Sequence, residues 1–209
     1  MSLDYRIEQW INGPAGTHAV LDKVMYAAAA WGEPLFIALV LLWFGVAWLA
    51  GWPQERTNAL AALLASGGAL LVNLVVSLIW TRPRPFFSHR GTVHLLLRHS
   101  ADASFPSDHA AAAFAIAIVL LASHRRLGAL FMAAAVVLSY GRVYVGDHYP
   151  TDVLAGAVIG LLVGLLLLTW LQPLAVLLRE LADRLLALLH LPLFDRADPR
   201  LNSDARVHW

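Results

Sequence analysis

Residues Ser104–Ser123 read SFPSDHAAAAFAIAIVLLAS, a polar segment followed directly by a continuous apolar run. The apolar run has the composition of a helix that enters a membrane. Ser107 or Asp108 could cap this helix by accepting hydrogen bonds from its first backbone N–H groups. A cap does not account for His109, and an ionisable group at the edge of hydrocarbon usually marks a pathway or a site. The stretch therefore predicts a membrane helix that begins at a functional site.

The composition of the whole chain agrees with a membrane protein. Of 209 residues, 59% are hydrophobic and only 14% are charged, whereas a soluble domain carries about 25% charged residues. The chain has no Cys, which excludes disulfide and thiolate chemistry. Its net charge of +1 gives no reason to expect nucleic acid as a partner. Residues 1–9 lack the basic start and apolar core of a cleavable signal peptide.

Five apolar stretches are long enough, or nearly so, to cross about 30 Å of hydrocarbon. They lie at residues 35–50, 59–80, 110–123, 127–145 and 153–171. The earlier segment 18–31 contains Asp22 and Lys23, so we predict an interfacial or partly inserted helix there, with a sixth span as the alternative. The predicted fold class is all-α: a polytopic bundle of five transmembrane helices, or six in that alternative.

The pattern changes after Pro173. The segment LAVLLRELADRLLALLH at 174–190 places its charged residues on one face, which predicts an amphipathic helix lying on the bilayer. Residues 195–209 form a polar tail that we expect to be disordered. Residues 1–194 are therefore expected to form a single integral membrane domain.

Three polar segments interrupt the apolar pattern. They are TRPRPF at 81–86, SFPSDHA at 104–110 and GRVYVGDHYPTD at 141–152. The first ends the second span, the next opens the third, and the last connects the fourth to the fifth. Counting the crossings places all three on the same face of the membrane. This convergence predicts one common site.

The cationic part of this site suits an anion. Arg82, Arg84 and Arg142 carry guanidinium groups, which match phosphate oxygens bidentately. Ser107 and the N-termini of the third and fifth spans add further donors. Taken singly, an arginine at the end of a span is more often an interfacial anchor. Convergence of three of them favours a phosphate site.

The histidines supply reactive groups. His109 and His148 can act as nucleophile and as general acid or base. Asp152 lies one helical turn after His148, where it could hold the imidazole as the third member of a triad does. Asp108 and Asp147 are interpreted as caps or supporting groups. The loop histidines are interpreted as surface residues without a metal site; they are His89, His94 and His99.

These segments resemble the type 2 phosphatidic acid phosphatase superfamily, which shares its core with vanadium haloperoxidases. The family pattern is K-x6-RP, then PSGH, then SR-x5-H-x3-D. The matching positions here are Arg84-Pro85, PSDH at 106–109, and Arg142 with His148 and Asp152. The fuller strings look most like the bacitracin-resistance type of undecaprenyl-diphosphatase. This chain departs from the pattern at Ser77, Asp108 and Gly141, where the family has Lys, Gly and Ser.

The resemblance implies hydrolysis of undecaprenyl diphosphate through a phosphohistidine. His148 would be the nucleophile, Asp152 would hold its ring, and His109 would protonate the leaving group and then activate water. The resemblance also implies that Arg84, Arg142 and Ser107 bind the phosphoryl oxygens, and that no metal or other cofactor takes part.

Arg82 is predicted to replace the charge of the missing lysine at Ser77. Pro83 and Pro85 hold the segment extended, and in an extended chain Arg82 and Arg84 point to the same side. The alternative is that Arg82 anchors the span at the headgroups.

Three other functions are compatible with parts of this pattern. Within the enzyme class, phosphatidylglycerophosphate or phosphatidate could replace the polyprenyl diphosphate lipid. A transporter of lipid-linked phosphate needs no oriented nucleophile, and a haem protein with His109 and His148 as axial ligands needs no arginines. When the candidate ligands Arg82, Arg84 and Arg142 are left out, basic residues number eight on the face away from the site and four on the site face. Together with the resemblance, this count predicts a bacterial inner-membrane protein with an extracytoplasmic site. The oligomeric state does not follow from the sequence.

Overall fold

The computed structural model describes residues 1–97 and 102–188, and this part of the chain is helical without strands. His99 and the predicted tail at 195–209 lie outside the described residues. The helices are α1 (Leu3–Asn12), α2 (Ala19–Leu49), α3 (Pro53–Ile79), α4 (Pro85–Ser88), α5 (Asp108–Ser123), α6 (Arg125–Tyr144), α7 (Pro150–Leu166) and α8 (Gln172–Leu188). A π-helical turn at Leu167–Leu171 joins α7 to α8.

Four helices are long and apolar enough to cross a membrane: α2, α3, α6 and the continuous segment Pro150–Trp170. The fifth apolar helix, α5, is shorter, with 16 residues. The all-α class and the multi-pass membrane architecture are therefore confirmed.

Residues 18–31, predicted as an interfacial or partly inserted helix with a sixth span as the alternative, do not form an element of their own, so that prediction is wrong. Those residues belong to α2, which runs without interruption for 31 residues and contains Pro34. A helix of this length measures about 46 Å, well beyond the hydrocarbon thickness of about 30 Å. The helix is therefore too long to lie wholly within the hydrocarbon. In its first turn, Asp22 accepts a hydrogen bond from the Tyr144 hydroxyl at 2.8 Å.

The centre of the bundle is α5, which packs against α3, α6 and α7. Its alanines at 110–113 are fully buried. Gly156 and Gly160 of α7 face it so closely that a Cβ at either would overlap backbone atoms of Ser107 or Ala111. The small residues on α7 therefore allow it to pack closely against α5.

The amphipathic helix predicted after Pro173 is present as α8. Its Asp183 forms an ion pair with Arg56 in the first turn of α3, with 2.6 Å between Nη1 and Oδ1. Because α3 begins on the face opposite the three polar segments, this contact places α8 on that opposite face.

An additional helix, α1, lies across the site face of the bundle. Its Tyr5 hydroxyl bonds Thr92 at 2.7 Å, and its ring stacks on His89 with 3.5 Å between centroids. Asn12 bonds the backbone of His94 and of Tyr144. His94 is exposed as predicted, but His89 is half-buried because Tyr5 covers it.

Candidate active site

The structure brings the three polar segments together at the site face. Arg84 Nη1 lies 3.2 Å from His148 Nε2, and Arg142 Nη1 lies 3.2 Å from His109 Nε2. The hydroxyl of Ser104 bonds Asp152 at 2.5 Å. The convergence inferred from counting membrane crossings is thus reproduced by side-chain contacts.

His148 precedes α7 and is 2% exposed. Its Nδ1 lies 2.8 Å from the backbone carbonyl oxygen of Ser104, an acceptor, so Nδ1 carries the proton. Nε2 then presents its lone pair toward Arg84. Burial lowers the pKa of His148 to about 3, and the neighbouring Asp147 carboxylate offsets only part of this effect. The imidazole is therefore neutral near pH 7, the state that a nucleophile requires.

Asp152 does not hold His148 directly. Its nearest carboxylate oxygen is 3.7 Å from His148 Nδ1, and Ser104 stands between them. That oxygen, Oδ2, accepts hydrogen bonds from the Ser104 hydroxyl and, at 2.9 Å, from the backbone N–H of Tyr149. Tyr149 is the N-cap residue of α7, so the second bond is part of the helix cap. The predicted triad therefore becomes a relay in which Asp152 positions Ser104 and the Ser104 carbonyl positions the imidazole. Sequence reasoning missed Ser104 because the spacing within the motifs carries no sign of it.

Asp147, interpreted from the sequence as a cap or supporting group, lies between Arg84 and Arg142. This carboxylate is fully buried. It forms an ion pair with Arg142 and lies 2.7 Å from Arg84 Nη1. Its Oδ2 is also 3.5 Å from His148 Nε2. Asp147 thus contacts both arginines and His148.

Ser107 begins α5 at the capping position, but its side chain makes no cap. Its hydroxyl is buried and has no hydrogen-bond partner among the described residues. Asp108 instead accepts a hydrogen bond from Asn73 of α3 at 2.9 Å. The Ser107 hydroxyl is therefore a donor suited to a phosphoryl oxygen.

His109 lies in the first turn of α5 with its side chain 20% exposed. Its Nε2 is 3.2 Å from Glu33 Oε2 as well as from Arg142. Glu33 comes from α2 and was not predicted, although a lone carboxylate in an apolar stretch is itself a functional signal. A partly exposed imidazole beside a carboxylate and a guanidinium suits proton transfer to a leaving group.

Arg82 points away from this cluster. Its guanidinium bonds Asp4 of α1 at 2.6 Å and Asp152 at 2.8 Å, and it lies 3.7 Å over the ring of Tyr149. The Arg82 guanidinium also donates a hydrogen bond to the Thr151 hydroxyl. These contacts favour a positioning role through Asp152 over the predicted replacement of the missing lysine.

We expect Arg82→Ala to lower kcat about tenfold or more, because a hydrogen bond to a charged group contributes about 1.5–3 kcal/mol. The factor should be the same for monophosphate and diphosphate lipids, with KM little changed, since Arg82 acts through Asp152. Ser77→Ala is the control and should change neither constant. A rise in KM confined to diphosphates would restore Arg82 to substrate binding.

Comparison with known proteins gives a consistent result. A family model described as the PAP2 superfamily matches residues 58–175. Undecaprenyl-diphosphatase BcrC of Bacillus subtilis is 37% identical over 164 residues, covering 78% of this chain and 82% of that protein. Putative undecaprenyl-diphosphatase YbjG of Escherichia coli is 36% identical over 127 residues, covering 60% and 63%. The crystal structure of Aquifex aeolicus LpxE superposes with a TM-score of 0.62 at 27% identity, covering 81% of this chain and 97% of that one. The matched range 58–175 contains all three polar segments, whereas Asp4 and Glu33 lie before it.

Proposed function

This chain belongs to the PAP2 superfamily, and from that premise we propose that it hydrolyses undecaprenyl diphosphate to undecaprenyl phosphate and inorganic phosphate. The observation that carries the proposal is His148, a buried neutral imidazole with Nε2 directed at Arg84 and beside the ion pair of Arg142. A binding protein needs no such oriented nucleophile. The relatives named as undecaprenyl-diphosphatases support the choice of lipid.

In the first step, His148 Nε2 attacks the terminal phosphorus. The bond from that phosphorus to the bridging oxygen breaks, and His109 protonates the oxygen of the departing lipid phosphate. Arg84, Arg142 and Ser107 bind the three equatorial oxygens as charge develops on them, which is the dominant contribution in phosphoryl transfer.

In the second step, His109 takes a proton from water, and the resulting hydroxide attacks the phosphohistidine. The N–P bond breaks, inorganic phosphate leaves, and His148 returns to its neutral form. Throughout, the Ser104 carbonyl keeps the proton on Nδ1 and Asp152 keeps Ser104 in place.

We propose an extracytoplasmic site in the bacterial inner membrane. Arg56, Arg125 and Arg126 lie at the end of the bundle away from the site, as basic residues on a cytoplasmic face do. The Arg56–Asp183 ion pair adds Arg179 and Arg184 of α8 to that face. With these two residues, the excess of basic residues on the face away from the site depends less on the arginines of the distant tail.

The test is phosphate release from a panel of lipids by the full chain in detergent, with His148→Ala as the blank. We expect the highest kcat/KM on undecaprenyl diphosphate. A preference for phosphatidate or phosphatidylglycerophosphate would replace the proposed substrate. Absence of release from every lipid would favour the transporter alternative.

Activity should survive exhaustive treatment with EDTA, because arginines neutralise the phosphoryl charge in the proposed mechanism. Within residues 1–97 and 102–188, no three His, Cys, Asp or Glu side chains are grouped to hold a metal ion. Orthovanadate should inhibit by adopting the trigonal-bipyramidal geometry of the transferring phosphorus. Loss of activity in EDTA that Mg²⁺ restores would contradict this prediction.

A further inference from the structure

The Asp147 carboxylate lies where the proposed substrate would bind. A phosphoryl group attacked by His148 must come within about 3–3.5 Å of Nε2, with its oxygens in charge-assisted hydrogen bonds to both arginines. Asp147 already contacts all three groups, at 3.5 Å from His148 Nε2, at 2.7 Å from Arg84 Nη1, and in an ion pair with Arg142. Two anions cannot share this position without strong repulsion.

We propose that Asp147 is a resident counter-anion of the phosphate site, which the transferring phosphoryl group displaces and which lowers the affinity of the site for inorganic phosphate. The inference rests on the proposed function, because that function defines what enters the site. It makes Asp147 an affinity-determining residue of the reaction.

The contacts of Asp147 are incomplete, which makes displacement feasible. Its Oδ1 forms the ion pair with Arg84 but makes no hydrogen bond to any of the described residues. Arg142 Nε is likewise buried without a hydrogen-bond partner in the described part of the chain. A phosphoryl group offers three oxygens instead of two and can satisfy donors that a single carboxylate leaves unused.

The charge balance explains what the carboxylate does. Arg84 and Arg142 contribute two positive charges to the buried site, and the fully buried Asp147 cancels one of them. Asp102 also pairs with Arg84, through Nε and Nη2 at 2.9 Å, but its side chain is 55% exposed, so water and salt screen its charge. A site with less net positive charge releases a free phosphate ion more readily, while a lipid diphosphate is still retained through its membrane-embedded chain.

The test is Asp147→Asn in the full chain in detergent, with inorganic phosphate as the probe. We expect the Kd of phosphate, measured by calorimetry at pH 7.5, to fall at least tenfold. Its inhibition constant against the lipid substrate should fall in parallel, and kcat should fall as product release slows. Asp102→Asn is the matched control, since it removes a carboxylate from the outer, exposed edge of the same Arg84 guanidinium. It should change the Kd by less than about threefold.

Measurement of Tm with and without phosphate tests the stability of the Asp147→Asn protein. Without the carboxylate, two buried guanidinium groups repel each other, so Tm should fall in the absence of phosphate and recover when phosphate binds. A folded Asp147→Asn protein with unchanged or weaker phosphate affinity would overturn the proposal, as would a variant that fails to fold even in phosphate. Tighter phosphate binding by the variant, in a protein that hydrolyses no lipid, would support the role of Asp147 and refute the proposed function.

Discussion

His148→Ala should lower kcat by at least about 10⁴-fold, the scale expected when a covalent nucleophile is lost. Alanine removes the imidazole whose Nε2 lone pair is directed at Arg84 and whose Nδ1 is held by the carbonyl of Ser104. Phosphate release and labelling of the protein by a substrate carrying ³²P at the terminal phosphate should both vanish. His94→Ala, in an exposed loop position, is the control and should retain activity. Residual turnover near wild type in a folded His148→Ala protein would contradict covalent catalysis by this residue.

The pH dependence of thermal stability gives a second measurement on the His148→Ala variant. Because burial lowers the pKa of His148 to about 3, from about 6.5 in an unfolded chain, the folded protein binds fewer protons than the unfolded one between these values. His148 therefore destabilises the fold progressively as pH falls from about 6.5 toward 3. The Tm of wild type should drop more than that of His148→Ala between pH 7 and pH 4. Titration of His148 should also leave kcat/KM unaffected above about pH 4.

The order of the spans was predictable because hydrophobic length and alternation of crossings are properties of the chain alone. They were enough to place three separated motifs on one face. The start of α2 was missed because Asp22 and Lys23 resemble the end of a span. A helix longer than the bilayer tolerates both charges in a turn outside the hydrocarbon.

The partners of charged groups were harder to predict than their identities. Sequence spacing correctly brought Asp152 near His148, yet the 3.7 Å separation is bridged by Ser104 from a different segment. Arg82 was expected to face the phosphate, but Asp4 of α1 binds it beside Asp152. Such pairings depend on three-dimensional packing between elements far apart in sequence, as does the contact of Glu33 with His109.

The other large effect is expected for His109→Ala, which should reduce turnover about 10²–10⁴-fold, the usual contribution of a general acid or base. His109 has two tasks in the proposed mechanism, and they differ in how far they depend on the leaving group. Protonation in the first step matters less when the leaving group is already a weak base, whereas activation of water in the second step is needed for every substrate.

A substrate with an activated leaving group, such as p-nitrophenyl phosphate, should therefore phosphorylate His109→Ala and then stall. With ³²P-labelled p-nitrophenyl phosphate, we expect acid-labile, base-stable ³²P to accumulate on the His109→Ala protein. The label should be absent from the His109→Ala, His148→Ala double variant. Glu33→Gln should give a smaller loss, because it leaves the imidazole in place and removes only the carboxylate 3.2 Å from Nε2. Near-normal turnover of the aryl substrate would mean that His109 serves the first step alone, and that water is activated by another group. Equal losses on lipid and aryl substrates without phosphoenzyme would contradict both tasks, because phosphorylation would then need His109 whatever the leaving group.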